Sequence, residues 1–458
     1  MGVTPPFPAI LPVVRGRPLL GSAPEMVTTR LRPFLTRNYQ KYGPVYGISA
    51  VGMRFVVLAG PEANLFVTKE GHKVLRSEEA WRQNDIEMGA RRSMISLDGE
   101  LHRKYRRVES RAYSRSYFGE NLRAALEVTA EDLTPVHAGD TFRVPYWSKR
   151  VITEQLARMT VGGTARPYLE DMLTFVQTTL MVTTTKQLPK VMLLQPKVRR
   201  AKARIFKMVD DLIAQHRANP AEAAGRAPNL IDDVLAAEKT DPELWQHEDI
   251  RIAALGSFIA GMDTAANSLS FLLYRMHKHK EYLPKLRAEA DALFAAGPPS
   301  AEALGRSPLL HTFVMETLRV HPIAPAMSRT LTTEVEFAGH RLPARTNVIV
   351  GTTVSHGLDQ FYPNPDQFDP ARFGPERAEH RKPGAYAPFG LGAHTCAGSG
   401  MAEGLIMLNA AAILHTLELE LDPSYQFKEI ARPTPSPADD LALRVVGVRH
   451  PVSSLFEA

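Results

Sequence analysis

Pro388-Phe389-Gly390-Leu391-Gly392-Ala393-His394-Thr395-Cys396-Ala397-Gly398 contains the one cysteine of a 458-residue chain. The run lies between irregular, proline-rich sequence and an apolar, alanine-rich stretch that reads as a helix from Gly398 to Leu417. A single thiol forms no internal disulfide and no multi-cysteine metal site. If Cys396 does chemistry, it does so as one metal ligand or as a nucleophile. Just ahead of a helix it meets the positive end of the helix dipole, which favours thiolate over thiol. Gly390, Gly392 and Gly398 let backbone approach a flat ligand and adopt turns barred to other residues. Phe389 would pack near the sulfur and limit water. The competing reading is a buried structural cysteine in a glycine-rich turn.

Composition sets the frame. Hydrophobic residues make up 44% and charged residues 23%, enough for a sizeable core. The formal net charge of +6 is too diffuse to argue for nucleic acid. One cysteine excludes a disulfide framework and favours a reducing, cytoplasmic setting. The start, Met1 to Pro24, is proline-rich with Arg15 and Arg17. It lacks the basic start and apolar core of a signal peptide. No apolar run reads as a membrane span of ~20 residues, so no membrane anchor is expected.

Helical periodicity dominates along the chain. Ala23 to Tyr42 reads as an amphipathic helix. Val45 to Ala50 and Arg54 to Ala59 read as a strand pair turning at Gly52. Leu101 to Tyr113 is a basic helix. Asp249 to Lys280 is the longest helical pattern, apolar on nearly all sides from Ile252 to Leu273, as expected of a helix through the interior. A second helix opens at Ser307-Pro308 and ends before Pro322. Val335 to Val350 alternates like short strands with a turn at Gly339-His340. No midpoint reads as a linker. The expectation is a single domain over residues 1–458, mainly α with minor β, with a proline-rich segment at 1–22, the long helix at 249–280 and the cysteine loop at 389–398.

Four motifs, in order, resemble the cytochrome P-450 family across essentially the whole chain. Phe389-x-x-Gly392-x-His394-x-Cys396-x-Gly398 resembles its haem-binding loop. Glu316-x-x-Arg319 matches its Glu-x-x-Arg pair, Ala260-Gly261-Met262-Asp263-Thr264 its oxygen-groove helix, and Phe368-Asp369-Pro370-Ala371-Arg372-Phe373 the segment between the Glu-x-x-Arg pair and the haem-binding loop. The resemblance implies a triangular helical prism with small sheets that binds haem b. Cys396 would be the axial iron ligand. A thiolate is a strongly donating ligand that favours O–O cleavage.

The resemblance also assigns roles. Glu316, Arg319 and Arg372 would form a buried structural brace for the ligand loop; an unpaired buried charge would be costly. Asp263 and Thr264 would steer protons to bound dioxygen, and a carboxylate amid an apolar helix is expensive unless paired or working. Gly261 would leave room where the helix passes the haem. His102 and Arg106, an i,i+4 pair, would meet the haem propionates together with Arg329 and His394. Phe389, Gly390 and Gly398 would line the cofactor. Arg103, Lys104, Arg107, Arg111 and Arg115 extend a basic face on the side where redox partners dock in the family, suited to an acidic ferredoxin or flavodoxin.

Candidate pocket residues are mostly apolar: Ile95, Met181, Phe258, Met262, Ile323, Ala324 and Met327. Leu188, Met192, Leu193 and Leu194 suit a lid. The turn Pro433 to Pro437 would complete the pocket. The expected activity is insertion of one oxygen atom from O2 into a lipophilic small molecule. Electrons would come from a ferredoxin or flavodoxin with its NAD(P)H-dependent reductase, and the enzyme would work as a monomer. Alternatives within the fold are desaturation, coupling or peroxide-driven oxidation. A haem-thiolate sensor is the non-enzymatic alternative.

Overall fold

The computed structural model describes residues 11–457. The part of the expected N-terminal segment before Leu11 lies outside the described residues. The chain divides into two compact units, and three segments contribute to each.

The first unit comprises residues up to 83, 95–103 and 318–396. Its centre is a five-stranded sheet in the order Val45–Ala50, Met53–Ala59, Asn347–Gly351, Met327–Leu331, Leu75–Arg76. The first two strands form an antiparallel hairpin whose turn, Val51-Gly52, takes positive φ at both residues. That is the turn whose twist matches paired strands. Met53–Ala59 then pairs in parallel with Asn347–Gly351. Its end, Val56-Val57-Leu58-Ala59, is apolar without alternation because both faces are covered. Val56 and Leu58 pack with Ala63, Val67 and Val348. Val57 and Ala59 pack with Phe34, Leu35 and Val354.

Two expectations shift here. The helix expected over Ala23 to Tyr42 is two helices, Ala23–Thr28 and Leu31–Tyr42, separated by Arg30 at φ +65°. Pro33 has no N–H for a continuing helix, so the second begins where proline falls in its first turn. The hairpin Val335–Phe337 with His340–Leu342 turns at Ala338-Gly339, one residue earlier than expected, both at positive φ.

The second unit comprises residues 84–94, 104–317 and 397–458 and is mainly helical. Its axis is His247–Lys278, 32 residues, about 48 Å long at 1.5 Å per residue. It starts with a reciprocal capping box between Gln246 and Asp249. Val144–Leu156, Pro196–Ala218, Leu230–Thr240 and Ser399–Thr416 pack around it, which is why its middle is apolar on most sides. Residues 392–416 are long and apolar enough to cross a membrane by composition, contrary to the expectation that no such run exists. In the fold, 61% of its most apolar window is buried as core. A three-stranded sheet (Thr141–Arg143, Ala442–Val448, Leu417–Glu420) and a two-stranded ribbon (Glu429–Ala431, Pro435–Pro437) complete this unit.

Candidate active site

In the first unit the cysteine loop is closed on itself. The Cys396 N–H donates to Phe389 O at 2.9 Å. Gly390 and Gly392 both sit at φ +73°, which only glycine adopts without strain. A Cβ on Gly392 would lie 2.9 Å from Val67 O, so the loop rests directly on the end of the helix Gly60–Lys69. Cys396 is exposed and Phe389 half-buried. Gly398 does not share the positive φ of Gly390 and Gly392. Its φ is −96° and its nearest side-chain neighbour, Tyr113, is in ordinary contact, so the backbone does not demand glycine there.

His394 gathers polar partners that sequence reading did not identify. Its Nε2 lies 3.0 Å from Asp98 Oδ1 and 3.3 Å from Ser77 Oγ. The Asp98 carboxylate also accepts from the Ser77 and Glu78 amides. Burial pushes Asp98 up, but His394 and these amides together hold it below its usual range. The His102 ring, almost fully buried, packs on His394 with centroids 4.2 Å apart.

Arg329 is only 8% exposed. Its guanidinium donates to Ser328 O at 2.7 Å and approaches Met327 Sδ at 3.6 Å. Among the described residues no carboxylate lies within ion-pair reach of it. Burial lowers its pKa to about 10, with Asp98 acting in the opposite direction. A buried cation without a bonded anion is expensive, so this position suits an acidic ligand group.

The brace residues Glu316, Arg319 and Arg372 are all fully buried. Arg319 donates to His356 O at 2.7 Å and Gln367 O at 3.2 Å and stacks over the Tyr362 ring. Arg372 donates to the same Gln367 carbonyl and to Asn364 O. It pairs with Glu379 Oε2 at 3.1 Å, a carboxylate the sequence reading missed.

In the second unit, Asp263 is 3% exposed in the middle of the long helix. Gln177 Nε2, from the helix Leu169–Thr183, donates to its Oδ1 at 2.8 Å. Its Oδ2 is buried with no hydrogen-bond partner among the described residues. Burial pushes the carboxyl above its usual range, and Lys149 and the Gln177 bond only partly oppose this. Thr264 Oγ1 donates to Ala260 O at 2.6 Å, which leaves its lone pairs able to accept. Gly256, Ala260 and Thr264, one turn apart, keep exposure on one face of this otherwise buried stretch. Gly261 makes room for a neighbour rather than for a ligand on that side: a Cβ would meet Leu156 Cδ1 at 2.9 Å.

Pocket expectations meet mixed outcomes. Phe258 and Met262 have no exposure. They lie two residues round from the open positions 256, 260 and 264, about 200° at 3.6 residues per turn, and fill core instead. Met181 is half-buried, Ile95 is 39% exposed, Ala324 is exposed and Ile323 is buried. Met327 lies against the ligand loop, its Sδ 3.3 Å from where a Gly390 Cβ would be. The turn before Pro437 is tied to the long helix by Asn267 Nδ2 donating to Thr434 Oγ1 at 3.0 Å. The expected lid segment forms a short 3-10 helix, Lys190–Leu194, with Val191 and Leu194 exposed.

Of the remaining candidates, Arg106 is half-buried and has no carboxylate within ion-pair reach among the described residues. Glu109, one turn further along Gly99–Glu109, is buried and pushed up to about 8. Within the first unit, a thiol in a closed loop together with the buried Arg329 is a donor set that fits haem: sulfur for iron, a cation for its acidic side chains.

The chain matches the Cytochrome P450 family model over residues 11–441. Cytochrome P450 135B1 of Mycobacterium tuberculosis is 29% identical over 395 residues, 84% of this chain and 81% of that one. Cytochrome P450 136 of the same organism is 28% identical over 457 residues, 96% and 89%. Among solved structures, retinoic acid-bound cyanobacterial CYP120A1 superposes with a TM-score of 0.81 at 22% identity, covering 95% of this chain and 99% of that chain. CYP102L1 gives 0.80 at 23%, covering 96% and 99%.

Proposed function

Because the chain belongs to the cytochrome P450 family, whose members carry haem and are generally haem-thiolate monooxygenases, we propose that it inserts one oxygen atom from O2 into a lipophilic small molecule. The observation that carries this reading is the closed ligand loop, with Cys396 N–H on Phe389 O and two glycines at positive φ. When bound, haem supplies the oxidising chemistry. The chain's own residues do the rest. Cys396 would hold the iron. Arg329, His394, His102 and Arg106 would hold the propionates, with Asp98 orienting His394. Thr264 and Asp263 hold and pass a proton, and Gln177 positions the Asp263 carboxyl. The apolar residues Met181, Ile323 and Met327 bind substrate and exclude water. Electrons come from a ferredoxin or flavodoxin reduced by an NAD(P)H-dependent enzyme.

The test is the spectrum of the reduced carbonyl complex. A thiolate-ligated haem gives a Soret band well to the red of a histidine-ligated one. The native protein should show it and Cys396→Ser should lose it. A normal band in the native protein, or an unchanged red-shifted band in the variant, overturns the assignment. A screen of apolar acids, terpenoids, steroids and polyketides, read by displacement of the iron's water, then defines the substrate class. Retinoic acid, bound by the cyanobacterial relative, is a rational first compound.

A further inference from the structure

We propose that Asp291, His415 and His450 form a binding site for a divalent first-row metal ion, Zn2+ being the best chemical match. It lies wholly within the second unit and is separate from every residue assigned above. Asp291 comes from the helix Leu283–Phe294, His415 from the last turn of Ser399–Thr416, and His450 from the segment after Ala442–Val448. One ligand atom from each lies within 4.8 Å of the others. His415 Nδ1 is 2.8 Å and His450 Nε2 3.6 Å from the same oxygen, Asp291 Oδ1. The two rings stack, 15° apart in plane with centroids 4.4 Å apart.

Two imidazoles and a carboxylate form a donor set of intermediate softness, and open positions remain for water. The groups behind the ligands are also in place. His415 Nε2 is 3.0 Å from Ser454 Oγ, which fixes the ring and leaves Nδ1 facing the site. Arg449 Nη2 donates to Asp291 Oδ2 at 2.8 Å and so orients Oδ1 toward the histidines. Its Nη1 lies 3.2 Å from Oδ1, so its charge limits affinity without covering the imidazole side. His450 is 43% exposed and provides the entry path. A metal here takes the place of the His415–Asp291 hydrogen bond, with the ring proton on Nε2 donated to Ser454 Oγ, and staples the segment after Ala442–Val448 to two helices.

The experiment uses untagged holoprotein, stripped with a chelator and then titrated with Zn2+ by calorimetry. The proposal expects one Zn2+ per chain at this site and a raised melting temperature that EDTA reverses. His450→Ala should weaken binding at least tenfold and abolish the thermal shift. Asp291→Asn should weaken it similarly at unchanged size. The haem spectrum of both variants should remain that of the parent, which separates this result from the ligation of Cys396. Equal Zn2+ affinity in parent and His450→Ala overturns the proposal. So does the absence of anomalous Zn density at these three residues in crystals soaked to saturation.

Discussion

At the residue scale the informative groups are buried acids. Asp263 is held by one neutral amide, and burial pushes its carboxyl upward. A proton carrier works best when its pKa approaches the working pH. Asp263→Asn is expected to lower turnover by roughly 100-fold, the ordinary size of a lost proton-transfer group, with substrate-induced spectral change intact. Gln177→Leu removes a bond that lowers the Asp263 pKa, so the limb of the pH–rate profile that reports this acid should move to higher pH. A profile superimposable on the parent's would assign Gln177 to packing alone. Glu109 permits a stability test. Its pKa rises from 4.5 to about 8 through burial. The native state therefore binds this proton more tightly than the unfolded chain, and stability falls as pH rises from about 4.5 through about 8. Glu109→Gln should remove that fall, a difference on the order of a few kcal/mol by pH 8. Urea titrations of both proteins at pH 5 and pH 8 measure it. Equal slopes would show that Glu109 ionises without cost.

At the element scale the ligand loop and the helix after it are separately pinned. Gly392 holds φ +73° with Val67 O where a Cβ would go. Alanine there adopts a left-handed conformation, at about 1–2 kcal/mol, and also meets the carbonyl. Gly392→Ala is expected to lower haem retention on desalting and the melting temperature by several degrees; retention equal to the parent's would mean the loop relaxes freely. In the second unit, Asn409 on Ser399–Thr416 donates to Gln155 Oε1 at 2.9 Å and accepts from Thr129 Oγ1 at 2.9 Å, joining three buried helices. Elements of this kind were legible in the sequence when their signal was local. The cysteine loop, the Gly52 hairpin and the long helix stand where glycine, proline and periodicity put them. The split at Arg30 was missed because an amphipathic pattern survives a break that Pro33 enforces. Phe258 and Met262 were read as pocket because apolar residues look alike from both sides of a helix.

At the scale of the whole molecule, long-range partners explain what the sequence withheld. His394 meets Asp98 across 296 residues, and Gln177 meets Asp263 across 86. Neither acceptor nor donor carries a local mark of its partner, and only the fold brings them together. Charge behaves the same way. The +6 excess is diffuse in the sequence, but the basic helix region sorts into two classes in three dimensions. Arg111 is taken up by Asp233 and Arg115 by Glu403, each within 3 Å. Arg103, Lys104 and Arg107 are exposed on Gly99–Glu109 and engage no carboxylate among the described residues. On the proposed reading, those three are the charges that would meet an acidic electron donor. Exposed charges contribute more to encounter rate than to affinity, and salt screens them within ~10 Å at 0.1 M. Replacing all three with alanine should therefore slow the second-order reduction by ferredoxin or flavodoxin about tenfold at low salt. The gap should close as ionic strength rises, while the CO spectrum and substrate binding stay those of the parent. Stopped-flow reduction across a salt series reads it directly. A deficit that persists at high salt would mean the helix had lost structure, and no deficit at any salt would place donor docking elsewhere.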